Sequence, residues 1–117
     1  MNNHLKGRQG EKMAADYLVE EGYQIVSSNF RCKVGEIDLI ASKGPVLTFV
    51  EVKMRNTDRF GLPGESVSKG KQQKITKTAL FYLTIHKQWD REIRFDVIEI
   101  FQRKINHIPH AFLLEIR

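Results

Sequence analysis

The chain has 117 residues, a usual length for one domain with one core, and its 41% hydrophobic content argues against disorder. A formal charge of +5 points to an anionic partner, nucleic acid first among them. No apolar run approaches the ~18 residues of a membrane span, MNNHLKGRQG holds no signal-peptide core, and the single cysteine, Cys32, excludes an internal disulfide, so a cytoplasmic location is expected.

Residues 5–21 predict a helix, with Ala14, Ala15, Leu18 and Val19 at helical spacing and Gly22 placed to end it. A strand with irregular ends is expected over 23–31. Residues 35–41 and 46–53, rich in Ile, Leu, Val and Phe, read as two strands. Ser42, Lys43, Gly44 and Pro45 lie between them, so a hairpin is the simplest connection. The stretch RNTDRFGLPGES, 55–66, reads as a loop. A second helix is expected over 67–87, with Ile75, Ala79, Tyr82, Leu83 and His86 along one stripe, and strands are expected at 93–101 and 111–116. Nothing interrupts residues 1–117 as a single domain. The order α-β-β-β-α-β-β predicts an α/β fold, a central mixed sheet flanked by helices.

Four polar residues stand inside the two hairpin strands: Glu36, Asp38, Glu51 and Lys53. Residues two apart on a strand share a face. A turn between Gly44 and Pro45 pairs Ser42 with Leu47, and continuing that register sets Asp38 opposite Glu51 and Glu36 opposite Lys53. All four groups are then expected on one face at one end of the hairpin. Opposed carboxylates repel, and burial raises the penalty. A divalent cation relieves both effects, and hard carboxylate oxygens suit Mg²⁺ or Mn²⁺. A lysine alongside orients a water or stabilises charge on a phosphate oxygen, which completes the parts for metal-assisted phosphodiester hydrolysis. The competing reading is a Lys53–Glu36 ion pair at a sheet edge with Asp38 and Glu51 solvated. Glu11 falls on the apolar stripe of the first helix, where it either adds a ligand or complements the helix dipole.

At these residues the sequence resembles a known family. Asp38 followed by Glu51-Val52-Lys53 resembles the D…(D/E)xK signature of restriction-endonuclease-like nucleases, the PD-(D/E)xK superfamily. Gly7-Arg8-Gln9-Gly10-Glu11, Gly35 to Ala41, Phe49 to Arg55, Lys71-Gln72 and Arg94-Phe95-Asp96-Val97 together resemble the YraN family of endonuclease-like proteins over nearly the whole chain. The pattern is also similar to that of archaeal Holliday-junction resolvases, which share an early-helix Glu. The resemblance implies a restriction-endonuclease-like fold with its site on the second and third strands. It implies Glu11, Asp38 and Glu51 as metal-site residues, the Val52 carbonyl as a further ligand and Lys53 as the catalytic lysine. Ile37 stands where the founding signature has proline, which leaves the carboxylate in place.

Six basic residues against one acid between Lys69 and Arg91 form either a solvated helix face or a phosphate-tracking one. Arg8, Arg55, Lys69 and Lys71 flank the proposed site and are candidates for nucleic-acid contact; Arg59 and Phe60 in the loop are further ones. Each alone is equally a surface residue. GESVSKGKQQ fails as a phosphate loop, because five residues separate Gly64 from Gly70 and Gln72 stands where Ser or Thr is needed. His4, His86, His107 and His110 have no zinc spacing, Arg94 and Asp96 read as a structural pair, and Cys32 as structural. The leading expectation is a Mg²⁺- or Mn²⁺-dependent endonuclease acting on DNA, including branched or structured DNA. In it Glu36 is either a partner of Lys53 or an extra ligand, and a homodimer would help so small a domain engage two strands. The alternatives are a non-cutting nucleic-acid-binding or scaffold protein on the same fold, and a metabolic metal hydrolase.

Overall fold

The computed structural model describes residues 3–56 and 67–114, with the side chains of residues 3–6 excepted. Along these residues run α1 (Asn3–Glu20), β1 (Gln24–Cys32), β2 (Gly35–Lys43), β3 (Val46–Met54), α2 (Lys69–Ile85), β4 (Glu92–Phe101) and β5 (Lys104–Phe112), in the expected order. Arg59 and Phe60 lie outside the described residues.

Helix α1 stops because Gly22 adopts a left-handed φ of 94°. Its N–H then reaches the Val19 carbonyl at 3.0 Å and the Tyr23 N–H reaches that of Leu18 at 2.9 Å, a Schellman closure. Ala14 and Leu18 are buried from this helix, whereas Val19, expected on the same stripe, is exposed. Helix α2 starts two residues later than expected, because the Ser68 side chain caps it by accepting from the Lys71 N–H. Ile75, Ala79, Tyr82 and Leu83 form its buried stripe, joined by Thr76 and Thr78. His86 is a correction: it is the exposed C-cap residue, and its ring lies against Tyr82 at 4.3 Å.

The strands form one sheet in the order β1-β2-β3-β4-β5, antiparallel throughout except for the parallel pair β3/β4, which α2 connects. Each face carries its own core. Helix α2 packs on Ile40, Leu47, Phe49, Phe95 and Val97, and α1 packs on Leu39, Ala41, Val50, Ile98 and Ile100. Alternation along β3 and β4 sends successive side chains to the two layers.

The last strand occupies 104–112 rather than 111–116. It returns antiparallel to β4 at the open edge of the sheet, where Pro109 needs no inward hydrogen bond. Its polar residues have specific partners on β4. Asn106 Nδ2 donates to Glu99 Oε1 at 3.0 Å, and His107 Nε2 lies 2.6 Å from Asp96 Oδ2. Asp96 also takes Arg94 Nε and Nη2 at 2.8 and 2.9 Å and the His110 N–H at 3.2 Å. The Arg94–Asp96 pair was expected, but its connection to β5 was not. Burial alone would raise the Asp96 carboxyl; the hydrogen bonds from His107 and Arg94 override it and hold the group below its ordinary value of 3.8.

Candidate active site

The hairpin register agrees with expectation through its turn: Lys43 faces Val46, Ser42 faces Leu47, and Gly44 takes a φ of 58°. A glycine at the first central position suits the two-residue turn that matches strand twist. The ladder stops at Leu39↔Val50. Beyond that point β2 follows β1, with Ile37↔Phe30 and Glu36↔Arg31, while β3 follows β4, with Glu51↔Val97 and Lys53↔Glu99. The sheet forks.

Asp38 stands at the fork for a local reason. Ile37 packs in the α2-side core and Leu39 in the α1-side core, although residues two apart should share a face. Across from them on β1, Asn29 has a left-handed φ of 56°, between Ser28 (facing Leu39) and Phe30 (facing Ile37). The alternation therefore changes phase at Asn29 and Asp38. The Asp38 carboxylate turns toward β3, where Oδ2 accepts the Val52 N–H at 2.8 Å in place of a ladder carbonyl. The N–H and C=O of one strand residue point to the same neighbour, so the Val52 carbonyl faces the same gap.

Glu51 stands on the other branch. Its side chain is 12% exposed, and Oε1 lies 3.8 Å from Lys71 Nζ in the first turn of α2. The two carboxyl groups approach closely enough to share a hydrogen bond. Burial first, and then the charges of Glu11 and Glu36, push Asp38 up to about 6 against the pull of the Val52 N–H and Lys71. Burial and the neighbouring Asp38 push Glu51 up to about 7 despite Lys71 and Lys53. Glu11, half-buried on α1, comes near through Gly10. A Cβ at residue 10 would lie 2.4 Å from Met54 Sδ, so glycine lets α1 settle on β3 without displacing the Met54 side chain. Gly35 does the same on the other face, where a Cβ would meet Thr78 Oγ1 at 2.7 Å.

The sequence-predicted residues thus separate into two groups. Glu11, Glu36 and Lys71 act electrostatically on Asp38, and Asp38, Lys71 and Lys53 on Glu51. The expected Glu36–Lys53 pairing is corrected: the fork carries them apart, and Glu36 Oε2 binds Arg31 Nε across β1 at 2.6 Å. The single shared face is corrected for the same reason. Arg55 turns to Glu99, with Nη1 3.4 Å from Oε2. Arg8 and Lys69 are exposed on the first helix and at the start of α2. Sequence reasoning placed Lys71 only among phosphate contacts and missed its pairing with Glu51. Its position three residues after a capping Ser was the available signal.

Among the described residues no three His, Cys, Asp or Glu side chains group tightly enough to hold a metal ion by themselves. Asp38 and Glu51 offer two hard carboxylates whose mutual repulsion a cation would relieve. Mg²⁺ typically accepts one or two carboxylates and fills its other positions with water and phosphate. The donor set fits such an ion.

Comparison with known proteins places this geometry in context. The model of "Uncharacterised protein family UPF0102" matches residues 10–100. A UPF0102 protein of Thermodesulfovibrio yellowstonii is 49% identical, over 91% of this chain and 94% of its own length. UPF0102 proteins of Caldicellulosiruptor bescii and Clostridioides difficile are each 46% identical, over 96% of this chain and 100% of theirs. Among solved structures, Archaeoglobus fulgidus Hjc, a Holliday junction resolvase, superposes with a TM-score of 0.55 at 18% identity, covering 96% of this chain and 79% of that one. The fold is restriction-endonuclease-like.

Proposed function

For a chain that belongs to the UPF0102 family and carries an opposed carboxylate pair at a forked hairpin, we propose the function of a divalent-metal-dependent endonuclease that hydrolyses DNA phosphodiester bonds. The observation that carries the reading is the meeting of Asp38 and Glu51 with Lys53 and Lys71 alongside. A non-catalytic fold gains nothing from holding two carboxylates together against their repulsion.

Asp38 and Glu51 would hold Mg²⁺ or Mn²⁺, with the Val52 carbonyl as a further donor and Glu11 assisting through a water. The bound ion would supply Lewis-acid charge at the phosphate and a more acidic water. The Val52 N–H fixes the Asp38 carboxylate in the fork. Lys53 follows Glu51 on the same face of β3, where its ammonium orients the attacking water or neutralises a phosphate oxygen. Glu36, bound to Arg31, contributes negative field rather than direct contact. Arg8, Lys69 and Lys71 are assigned to the phosphate backbone, which positions the strand without reading its sequence. Likeness to a protein named as a Holliday junction resolvase supports branched DNA as substrate, and a homodimer would match the paired strands of a junction. The single nuclease-like unit is taken as 1–117.

A non-cutting DNA-binding protein on this fold has one observation on its side, a two-carboxylate donor set with no third side-chain ligand grouped with it among the described residues. Labelled linear, flapped and four-way DNA with Mg²⁺ or Mn²⁺ separates the two readings. Metal-dependent cleavage, reduced about a hundredfold or more in Asp38→Ala and Lys53→Ala, is the expected result. Binding without cleavage on every substrate, with both metals, would overturn it in favour of the scaffold.

A further inference from the structure

Glu99 is the most deeply buried carboxylate that the proposed chemistry leaves unused. Its side chain is fully buried, Oε1 is held by Asn106, and Oε2 has no hydrogen-bond partner among the described residues. A buried charge in that condition needs a counter-charge. Arg55 supplies one, with Nη1 3.4 Å from Oε2 while the side chain remains 28% exposed. The main chain of Arg55 is fixed as well, its N–H donating to the Ile100 carbonyl at 2.7 Å.

The register gives this pair its place. Glu99 lies beside Lys53 across the parallel ladder. Glu51 and Lys53 lie two residues apart on β3, and Arg55 follows one residue beyond its end at Met54; two residues of extended chain span roughly 6.6 Å. That interval is comparable to the spacing of successive phosphates in a nucleic-acid strand. Guanidinium carries five donors in a rigid fork, so one edge can face Glu99 while the other meets a phosphate bidentately.

We infer that Glu99 is a positioning residue that holds Arg55 as a clamp for the DNA phosphate next to the one at Lys53. The inference rests on the DNA-binding part of the proposed function. Asn106 completes the device by tying Glu99 to the edge strand β5. Two opposite effects follow from removing the charge of Glu99. A DNA-binding face made one unit more positive should bind more tightly by electrostatics alone. A freed Arg55 should bind less tightly, because its fork is no longer oriented.

The test is the affinity of the full chain for labelled four-way and linear DNA without metal, across a salt series, for the unmodified protein, Glu99→Gln, Arg55→Lys and the double variant, with thermal melts confirming folding. Glu99→Gln is expected to bind about fivefold more weakly despite its added positive charge, Arg55→Lys similarly, and the double variant no worse than either alone. In cleavage assays KM rises in both single variants while kcat stays within about twofold. Arg55→Lys leaves Glu99 its counter-charge and therefore serves if Glu99→Gln melts early. Unchanged or tighter binding by folded Glu99→Gln, or full additivity in the double variant, overturns the inference and leaves the endonuclease reading standing. An unmodified protein that binds none of these DNAs refutes both.

Discussion

Glu51→Gln should make the metal-free protein more stable at pH 8. In the folded chain burial and Asp38 raise the Glu51 carboxyl from an ordinary 4.5 to about 7. Below pH 4.5 both folded and unfolded chains carry the proton, and the group is neutral to stability. Between 4.5 and about 7 the unfolded chain loses the proton first, so stability falls as pH rises, and the deficit is complete above 7. At about 1.4 kcal/mol per pH interval the deficit comes to roughly 3 kcal/mol. Gln keeps the shape and removes the charge; the forfeited contact with half-exposed Lys71 is worth about 1 kcal/mol at most. A net gain of about 1–3 kcal/mol at pH 8 is expected, several degrees in Tm for a chain of this size, and nearly none at pH 4. The assay is thermal or urea unfolding in chelator at both pH values, repeated with Mn²⁺, which should stabilise the unmodified protein and not the variant. Destabilisation at pH 8, or an equal change at both pH values, would refute the reasoning.

Three further outcomes follow from other parts of the molecule. Asp38→Ala should lose about 1–3 kcal/mol relative to Asp38→Asn, because only asparagine retains an acceptor for the Val52 N–H; urea unfolding of the two variants measures the difference. Gly35→Ala should cost about 1–3 kcal/mol by driving a Cβ against Thr78 Oγ1, and Thr78→Ala in the same chain should recover a large part of it, a coupling read from a double-mutant cycle. Asp96→Asn should lose about 3–5 kcal/mol at pH 7 by leaving Arg94 unpaired. Because the folded Asp96 carboxyl lies below its ordinary 3.8, that contribution is present above this value and lost as pH falls further, so the gap to the unmodified protein should close in acid melts.

The order of elements was legible because periodicity and punctuation agreed. Gly22 closes α1, Gly44-Pro45 closes the hairpin, and Ser42↔Leu47 fixes a register that brings Asp38 to Glu51. The approach of Asp38 to Glu51 was legible because the turn register sets these two carboxylates opposite each other between apolar positions. Three features were hidden. Strict two-residue alternation placed Glu36 with Lys53, but Asn29 breaks that alternation with a left-handed backbone that nothing in its neighbours announces. Strand β5 was displaced toward 111–116 because KINHIPHAF has little apolar alternation; its polar side chains are satisfied by Asp96 and Glu99 across the ladder, a tertiary fact. Lys71 joins Glu51 only because α2 begins at the fork, which depends on the crossover between β3 and β4.

The sheet's one parallel pair bears on how the chain folds. The β2–β3 hairpin closes through Gly44 and Pro45, whereas β3 reaches β4 only after the whole stretch from Met54 to Glu92 has looped back. Local contacts form before those that require long loop closure. Asp38 and Glu51 lie one step past Leu39↔Val50, the last pair of that hairpin, so closing it brings the two carboxylates together before β4 docks. Refolding of the metal-free protein should accelerate as pH drops from 8 toward 5 while unfolding changes less, a difference that stopped-flow kinetics at the two pH values measures.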